Sequence, residues 1–330
     1  MIFCHHSYSV SINRERRDFL KSILLGESFD IKRQPSTVTD WLPEPRISLP
    51  LFMKSPSELS VLLVGTGAVR AHPERGGPSF IVTIDGKNLL FDCGRCAIHN
   101  MSRFGVPPEA IAEAYITHLH FDHICDLPLL LLLSWNNGRT HRMPIYGPRG
   151  IDAFMENGLR QAYEHDIKSR VGHGKDASLI EWDVTELSKE GVVVETDTHR
   201  IDTLITKHGG LLNFNYRITT ADKVIVVMSD SEYDTRFVEF CRDADLVLVE
   251  CSGTQEFLDT VPWGGWHMTP EQIGEVMKKA QAKKVVLKHL VIESFKENDM
   301  NVSEEMAKTS QQIHTDGEII AGTDGMKFTF

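Results

Sequence analysis

The chain has no apolar run long enough to span a bilayer, so no transmembrane helix is expected among its 330 residues. Basic charge is in short supply: 35 lysines and arginines face 46 acids, for a net charge of −11. That balance disfavours a protein that grips a long polyanion over its whole surface and leaves room only for a local basic patch. Cysteines are few and scattered, at Cys4, Cys93, Cys96, Cys125, Cys241 and Cys251. With a lone Cys93-x-x-Cys96 and no second pair, neither a disulfide framework nor a structural zinc site is supported, and small buried side chains are the expectation. Gly65-Thr66-Gly67 lacks both the third glycine of a dinucleotide fingerprint and the lysine of a phosphate loop. Those glycines are read instead as letting the backbone pass close to a functional loop.

Ligand groups, by contrast, are concentrated. Thr117-His118-Leu119-His120-Phe121-Asp122-His123 places three imidazoles and a carboxylate within six residues. Residues two apart on an extended segment point the same way, so His118 and His120 can grip one ion together. Asp122 and His123 lie past the bend and can face a second ion. Imidazole and carboxylate suit zinc first, with manganese or iron as alternatives. A polar surface loop would also tolerate histidines, but this pattern arises by chance in on the order of one chain in a thousand of this composition. Ala114 to Thr117 reads as a buried strand leading into the cluster. Asp126 reads as the N-cap of a helix that carries the apolar run Leu129 to Leu133. The ligands then sit on a loop held between two rigid elements.

Residues 1–57 have a different texture. Arg16-Arg17-Asp18-Phe19-Leu20-Lys21 has the form of a twin-arginine export signal, but Glu27, Asp30, Lys32 and Arg33 interrupt the apolar region such a signal needs. The expectation is a cytoplasmic protein with an N-terminal extension and a linker marked by Pro35, Pro43, Pro45, Pro50 and Pro56; a working signal would make it periplasmic instead.

From residue 58 to 330 strands and helices alternate. Val61–Val64, Phe80–Ile84, Asn88–Phe91, Val192–Glu195, Leu204–Thr206, Val224–Met228, Leu246–Val249 and Val285–Leu287 read as strands, with a hairpin at Asp85-Gly86. Residues 151–170 read as one helix with Phe154, Leu159, Ala162, Tyr163 and Ile167 on its apolar face, and 171–190 as loop. Thr269-Pro270-Glu271-Gln272 is a helix start with a threonine cap, proline at the first position and glutamine at the third. His208, Asp230, His267 and His289 all fall at strand ends or helix starts, where they can converge with the histidine cluster on one rim.

This pattern resembles the metallo-β-lactamase superfamily over roughly residues 58–330, through His-x-His-x-Asp-His at His118 to His123. Within it the chain looks most like the ribonuclease Z and type III arylsulfatase branch. Gly65-Thr66-Gly67, Leu90-Phe91-Asp92-Cys93-Gly94, Tyr216-Arg217-Ile218 and His267-Met268-Thr269-Pro270-Glu271-Gln272 carry that likeness, and Ala162 to Arg170 is closer to the arylsulfatase side. The resemblance implies an α/β fold, a four-layer αββα sandwich of two mixed sheets flanked by helices. It implies two divalent ions, one held by His118, His120 and His208 and the other by Asp122, His123 and His289, with Asp230 bridging both. One departure is visible: Asp230 stands in Ser229-Asp230-Ser231 where the family usually has Gly-Asp-Thr.

Two such ions can share a hydroxide as nucleophile. Asp122 is read as both ligand and orienting group, His267 as donor to the leaving group or a non-bridging oxygen, and Glu250 as fixing the His267 tautomer or, on equal terms, as a solvated strand end. Trp263 and Trp266 are read either as a wall for a flat substrate or as core filling. The activity implied is hydrolysis of a small anionic ester, phosphodiester or aryl sulfate. The alternatives are a lactonase or thioesterase, a ribonuclease Z-type transfer-RNA 3′ endonuclease and, last, a metal-binding protein without activity. The acidity of the chain and the absence of a long basic, glycine-rich arm rank nucleic acid below a small-molecule ester; a homodimer stays open.

Overall fold

The computed structural model describes residues 53–290 and 299–330. The Arg16-Arg17 segment and most of the proline-marked linker lie outside the described residues. Among the described residues, fourteen strands form two seven-stranded sheets. The first takes β1 (Leu59–Gly65), β2 (Ser79–Ile84), β3 (Lys87–Phe91), β4 (Ile111–Tyr115), β5 (Met143–Pro148) and β6 (Trp182–Leu187). The second takes β7 (Gly191–Glu195), β8 (Arg200–His208), β9 (Leu211–Thr219), β10 (Val224–Val227), β11 (Leu246–Glu250), β12 (Lys284–Lys288) and β13 (Glu318–Ala321). The chain then returns to the first sheet, where β14 (Lys327–Thr329) pairs with β1. Both sheets are mixed: β1 to β3 form an antiparallel meander and β3 to β6 run parallel. β7 to β10 are antiparallel and β10 to β13 parallel.

Strand periodicity explains the layers. Val61 and Leu63 face the second sheet and pack with Phe214, Tyr216, Ile225 and Leu248. Their neighbours Leu62 and Val64 face outward onto helices containing Met101, Leu130 and Leu131. In the second sheet Val226, Val247 and Val249 turn outward onto the helix Pro270–Ala280. Strands buried on both faces read as continuous apolar runs, which is why these segments were legible. Each such Leu, Ile or Val contributes about 1.5–3 kcal/mol on burial. The Asp85-Gly86 hairpin is built as expected, with φ of 49° and 76° at its two central residues. No helix among the described residues is long and apolar enough to cross a membrane.

Several local expectations are corrected. Residues 171–190 are not all loop: β6 lies within them, parallel to β5. As an edge strand with Asp183 and Glu186 exposed, it offers no apolar run to read. Residues 151–170 are not one α-helix. Ile151–Met155 passes into a π-helical turn at Glu156–Gln161 before the helix Glu164–Gly172. The wider turn shifts the face, so Leu159 stays buried while Ala162 and Tyr163 turn to solvent. Asp126 stands in the N-cap position of Leu127–Asn136 but has helical backbone angles and does not cap it; its Oδ2 instead approaches the backbone N–H of Ile98, 3.5 Å away. Thr269 does cap its helix, in a full capping box with Gln272.

The glycines of Gly65-Thr66-Gly67 do not reach the histidine loop themselves. A Cβ on Gly65 would lie 1.9 Å from the carbonyl oxygen of Gly77, and Gly77 and Gly94 are the residues pressed against the loop. A Cβ on Gly94 would lie 2.1 Å from the carbonyl oxygen of Asp122 and 2.9 Å from Gly77 Cα. Gly94→Ala is therefore expected to cost about 3 kcal/mol of stability in a denaturant titration. Gly172→Ala, where a Cβ meets nothing within 4 Å, should stay within about 0.5 kcal/mol. Equal effects of the two would show that the close approach is not a constraint.

Candidate metal centre

The centre forms where strands of both sheets end together. Just beyond β4, Thr117 donates its backbone N–H to Asp92 Oδ1 (2.8 Å) and its hydroxyl to Asp92 Oδ2 (2.9 Å). From the other sheet, Tyr216 donates its hydroxyl to the carbonyl of Ile116 (2.8 Å) and Phe214 its N–H to that of Thr117 (3.0 Å). The loop that follows carries His118 and His120, whose Nε2 and Nδ1 lie 2.9 Å apart. His118 Nδ1 is held by the hydroxyls of Thr117 (3.0 Å) and Ser229 (3.3 Å). Asp92 Oδ2 also lies 2.8 Å from His123 Nδ1, which leaves His123 Nε2 to face inward.

The remaining groups arrive one per strand end. His208 closes β8, its Nδ1 3.2 Å from the carbonyl of Trp266. Asp230 follows β10 and His289 follows β12, the latter at a left-handed φ of 56°. Such a backbone conformation costs a non-glycine residue on the order of 1–3 kcal/mol and persists only where its surroundings hold it. Here Ser252 helps, with its hydroxyl 3.0 Å from His289 Nδ1.

The inward atoms crowd without bonding one another. His289 Nε2 lies 2.8 Å from Asp230 Oδ2 and 3.4 Å from Asp122 Oδ2. His123 Nε2 is 3.4 Å and His208 Nε2 3.9 Å from Asp230 Oδ2. Yet His123 Nε2, His289 Nε2 and Asp230 Oδ1 are buried with no aligned hydrogen-bond partner. Each such atom costs about 1–3 kcal/mol if left unsatisfied. A cation between them would satisfy all three, so the residues fit a divalent metal. His118, His120 and His208 form one group able to hold an ion, and Asp122, His123 and His289 another. Asp230 also groups with His118 and His123, and with His267 and His289.

Charge balance points the same way. Burial pushes the imidazoles of His118, His120 and His208 down, keeping them in the neutral form a ligand needs. Burial would also lower His123 and His289, but carboxylates outweigh it. Asp230 and Asp92 raise His123 to about 10, and Asp230 and Asp122 raise His289 to about 9. Burial opposes ionisation of Asp230, and His289 and His123 override it, holding the carboxyl well below its usual range. Two imidazolium protons thus offset the clustered acids, a balance that a divalent cation would take over as it displaced them.

His267 stands at the edge of this group, with Nδ1 3.1 Å from Glu250 Oε2 and 3.0 Å from the Ser252 hydroxyl. Glu250 is no solvated strand end. It is wholly buried, its Oε1 accepts the N–H of Met268 (3.2 Å), and Ser252 donates to its Oε2 (3.0 Å). Burial raises its carboxyl, but His267 outweighs that and keeps it low.

A cavity of about 310 Å³ opens onto these groups. Its metal side presents His120, Asp122, His208, Asp230, His267 and His289; Val69, Phe121, Trp263 and Trp266 form its outer wall. Trp266 is 41% exposed and rests on Gly209, where a Cβ would lie 2.6 Å from the ring, so this tryptophan is wall and not core. Sequence reasoning named Asp92 only within Leu90-Phe91-Asp92-Cys93-Gly94, gave Phe121 no role, and missed Ser229 and Ser252 as ring supports. Only the acid-turn pattern Asp92-Cys93-Gly94 carried a usable signal. Cys93 and Cys96 belong to none of the ligand groups found among the described residues.

Comparison with known proteins agrees with this architecture. Ribonuclease Z of Bacillus mycoides (strain KBAB4) is 25% identical over 316 residues, covering 79% of this chain and 96% of its own. The metallo-β-lactamase fold protein YhfI from Bacillus subtilis superposes with a TM-score of 0.65 at 21% identity, over 83% of this chain and all of that one. The short form of human tRNase Z superposes at 0.64 and 21%, over 82% of this chain and 98% of its own. At these identities the solved structures establish the fold, the αββα sandwich that the resemblance implied, and the chain lies on the ribonuclease Z-like side of the metallo-β-lactamase superfamily. With residues 59–312 matching the family described as Anti-Pycsar protein Apyc1, the chain is a metallo-β-lactamase-fold hydrolase that belongs to that family.

Proposed function

We propose that the chain is a binuclear metal-dependent phosphodiesterase of small diesters. The observation that carries this is Asp230, whose buried carboxylate stands 2.8–3.9 Å from His289, His123 and His208 with one oxygen unpartnered. In this reading His118, His120 and His208 hold one ion and Asp122, His123 and His289 the other. Asp230, close to ligands of both groups, would be shared between them, and zinc would suit these donors before manganese or iron. Bound there, the ions supply Lewis acidity and lower the pKa of water to about 7.

The chain's own groups do the rest. Glu250 and Ser252 occupy His267 Nδ1, so a ring protonated at both nitrogens would give its Nε2 proton or hydrogen bond to the departing oxygen. Asp122 orients the attacking group. Trp263, Trp266 and Phe121 give a flat substituent an apolar face and exclude water around the reacting phosphorus. A phosphodiester ranks above an aryl sulfate because the ribonuclease Z relatives act, by name, on RNA. The same relatives support a second reading, transfer-RNA 3′ processing. The net charge of −11 weighs against it, because a long polyanion needs a basic footprint.

Elemental analysis of protein supplied with zinc and manganese should find about two ions per chain; less than half an ion would sink the binuclear reading. His120→Ala should lose both metal and turnover. His267→Ala should keep the metal and slow by about 10²–10⁴. If His267→Ala also loses metal, His267 acts as a ligand with Asp230 and His289, as their proximity allows. The substrate ranking is decided by bis(p-nitrophenyl) phosphate, p-nitrophenyl sulfate and precursor transfer RNA under matched metal and salt. Turnover is expected mainly on the first. Site-specific RNA cleavage with negligible turnover of both small esters would reverse the order.

A further inference from the structure

Ser252 lies two residues past the end of β11 and is wholly buried. Its oxygen stands 3.0 Å from each of three atoms: Glu250 Oε2, His267 Nδ1 and His289 Nδ1. A hydroxyl has one proton to give and two lone pairs to receive with. Three partners therefore fill it completely. The one open question is which of them takes the proton.

Glu250 answers it. Burial opposes its ionisation and His267 overrides that, so the group is a carboxylate and can only accept. A serine proton turned elsewhere would leave two buried oxygens facing each other at 3.0 Å with no hydrogen between them. The other carboxylate oxygen is fixed too, since Oε1 faces the backbone N–H groups of Met268 (3.2 Å) and Ser231 (3.5 Å). With its proton committed to Glu250, Ser252 has only lone pairs for the two rings. Both rings must then carry a proton on Nδ1. That of His267 also lies within reach of Glu250 Oε2, at 3.1 Å.

We propose that Ser252 is a positioning residue that relays the polarity of Glu250 to a metal ligand, so that one buried carboxylate sets the ring protons of His267 and His289 together. The inference rests on the readings of His289 as a ligand and His267 as the leaving-group donor. Because Nδ1 of His289 keeps its proton, that ring offers an ion Nε2 alone. Because Nδ1 of His267 is held in the same way, any proton that ring delivers leaves from Nε2. A ligand imidazole whose other N–H is bound is also fixed in orientation.

Nitrogen NMR of labelled histidine in the zinc-loaded, full-length protein reads which ring nitrogens carry protons. Protonated Nδ1 is expected on both rings. Glu250→Gln keeps the shape, and the N–H groups of Met268 and Ser231 hold its amide oxygen at the Oε1 position. Its NH₂ then faces Ser252 and His267, so His267 Nδ1 should lose its proton while His289 Nδ1–H and zinc content stay. Ser252→Ala should do the reverse. His267 Nδ1–H remains on Glu250, and zinc binding weakens by about 10–100-fold in a chelator competition. Ser252→Thr restores the hydroxyl and should recover the affinity. A bare Nδ1 on either ring of the wild type, His267 Nδ1–H surviving Glu250→Gln, or unchanged zinc affinity in Ser252→Ala overturns the relay. So does a folded Ser252→Thr that binds zinc no better than Ser252→Ala; if that variant does not fold, the other three readings decide. Zinc that fails to bind the wild type removes the binuclear reading and the relay with it. Wrong ring protons in zinc-loaded protein remove the relay alone, whatever the turnover of bis(p-nitrophenyl) phosphate.

Discussion

One buried carboxylate sets the histidine loop. Asp92, at the end of β3, accepts from the Thr117 backbone and hydroxyl, where the loop begins, and sits on His123 Nδ1, where it ends. The loop between those points has its two ends tied to the same two oxygens. Asp92 itself adopts a left-handed φ of 56°, which aspartate tolerates better than most residues. The direction of His123, and through it the position of Asp122 and the geometry around Asp230, follow from that anchor. A buried carboxylate satisfied on both oxygens rigidifies what it holds, whereas removing it leaves its partners unpaired in low dielectric.

The legibility of this protein from sequence was uneven for physical reasons. Strands buried on both faces announce themselves as apolar runs, so most of both sheets could be read. The edge strand at Trp182–Leu187 could not, because its outer face is polar. Ligands crowded into one loop were visible because their spacing is local. His208, Asp230 and His289 became visible only as strand-end residues, and their convergence needed the fold. Asp92, Ser229 and Ser252 act across long separations on rings elsewhere in the chain, and no local pattern marks a hydroxyl that steadies an imidazole. The π-helical turn at Glu156–Gln161 broke a face that helical periodicity had joined.

Two strained residues stand beside the chemistry. Asp92 and His289 both carry positive φ, and both are buried among groups that hold them there. The surrounding sheets make this tolerable, since β3 and β12 are each paired on both sides up to or near their last residues. Ser252 illustrates the economy of the arrangement: one hydroxyl contacts Glu250, His267 and His289. Movement of any one of these would be felt by the other two.

The glycine stack divides the centre into parts that answer to different pressures. Gly77 and Gly94 let two stretches of backbone meet at the carbonyl of Asp122, with Gly65 pressed against Gly77 behind them, so the loop's placement depends on main-chain contact and not on the size of any nearby side chain. Val69, Phe121, Trp263 and Trp266 make the outer wall without belonging to that contact. Change at those four positions can redraw what the mouth admits while the ligand cage keeps its dimensions. A lineage could exchange one target for another by surface substitution alone, with the costly interior geometry inherited unaltered.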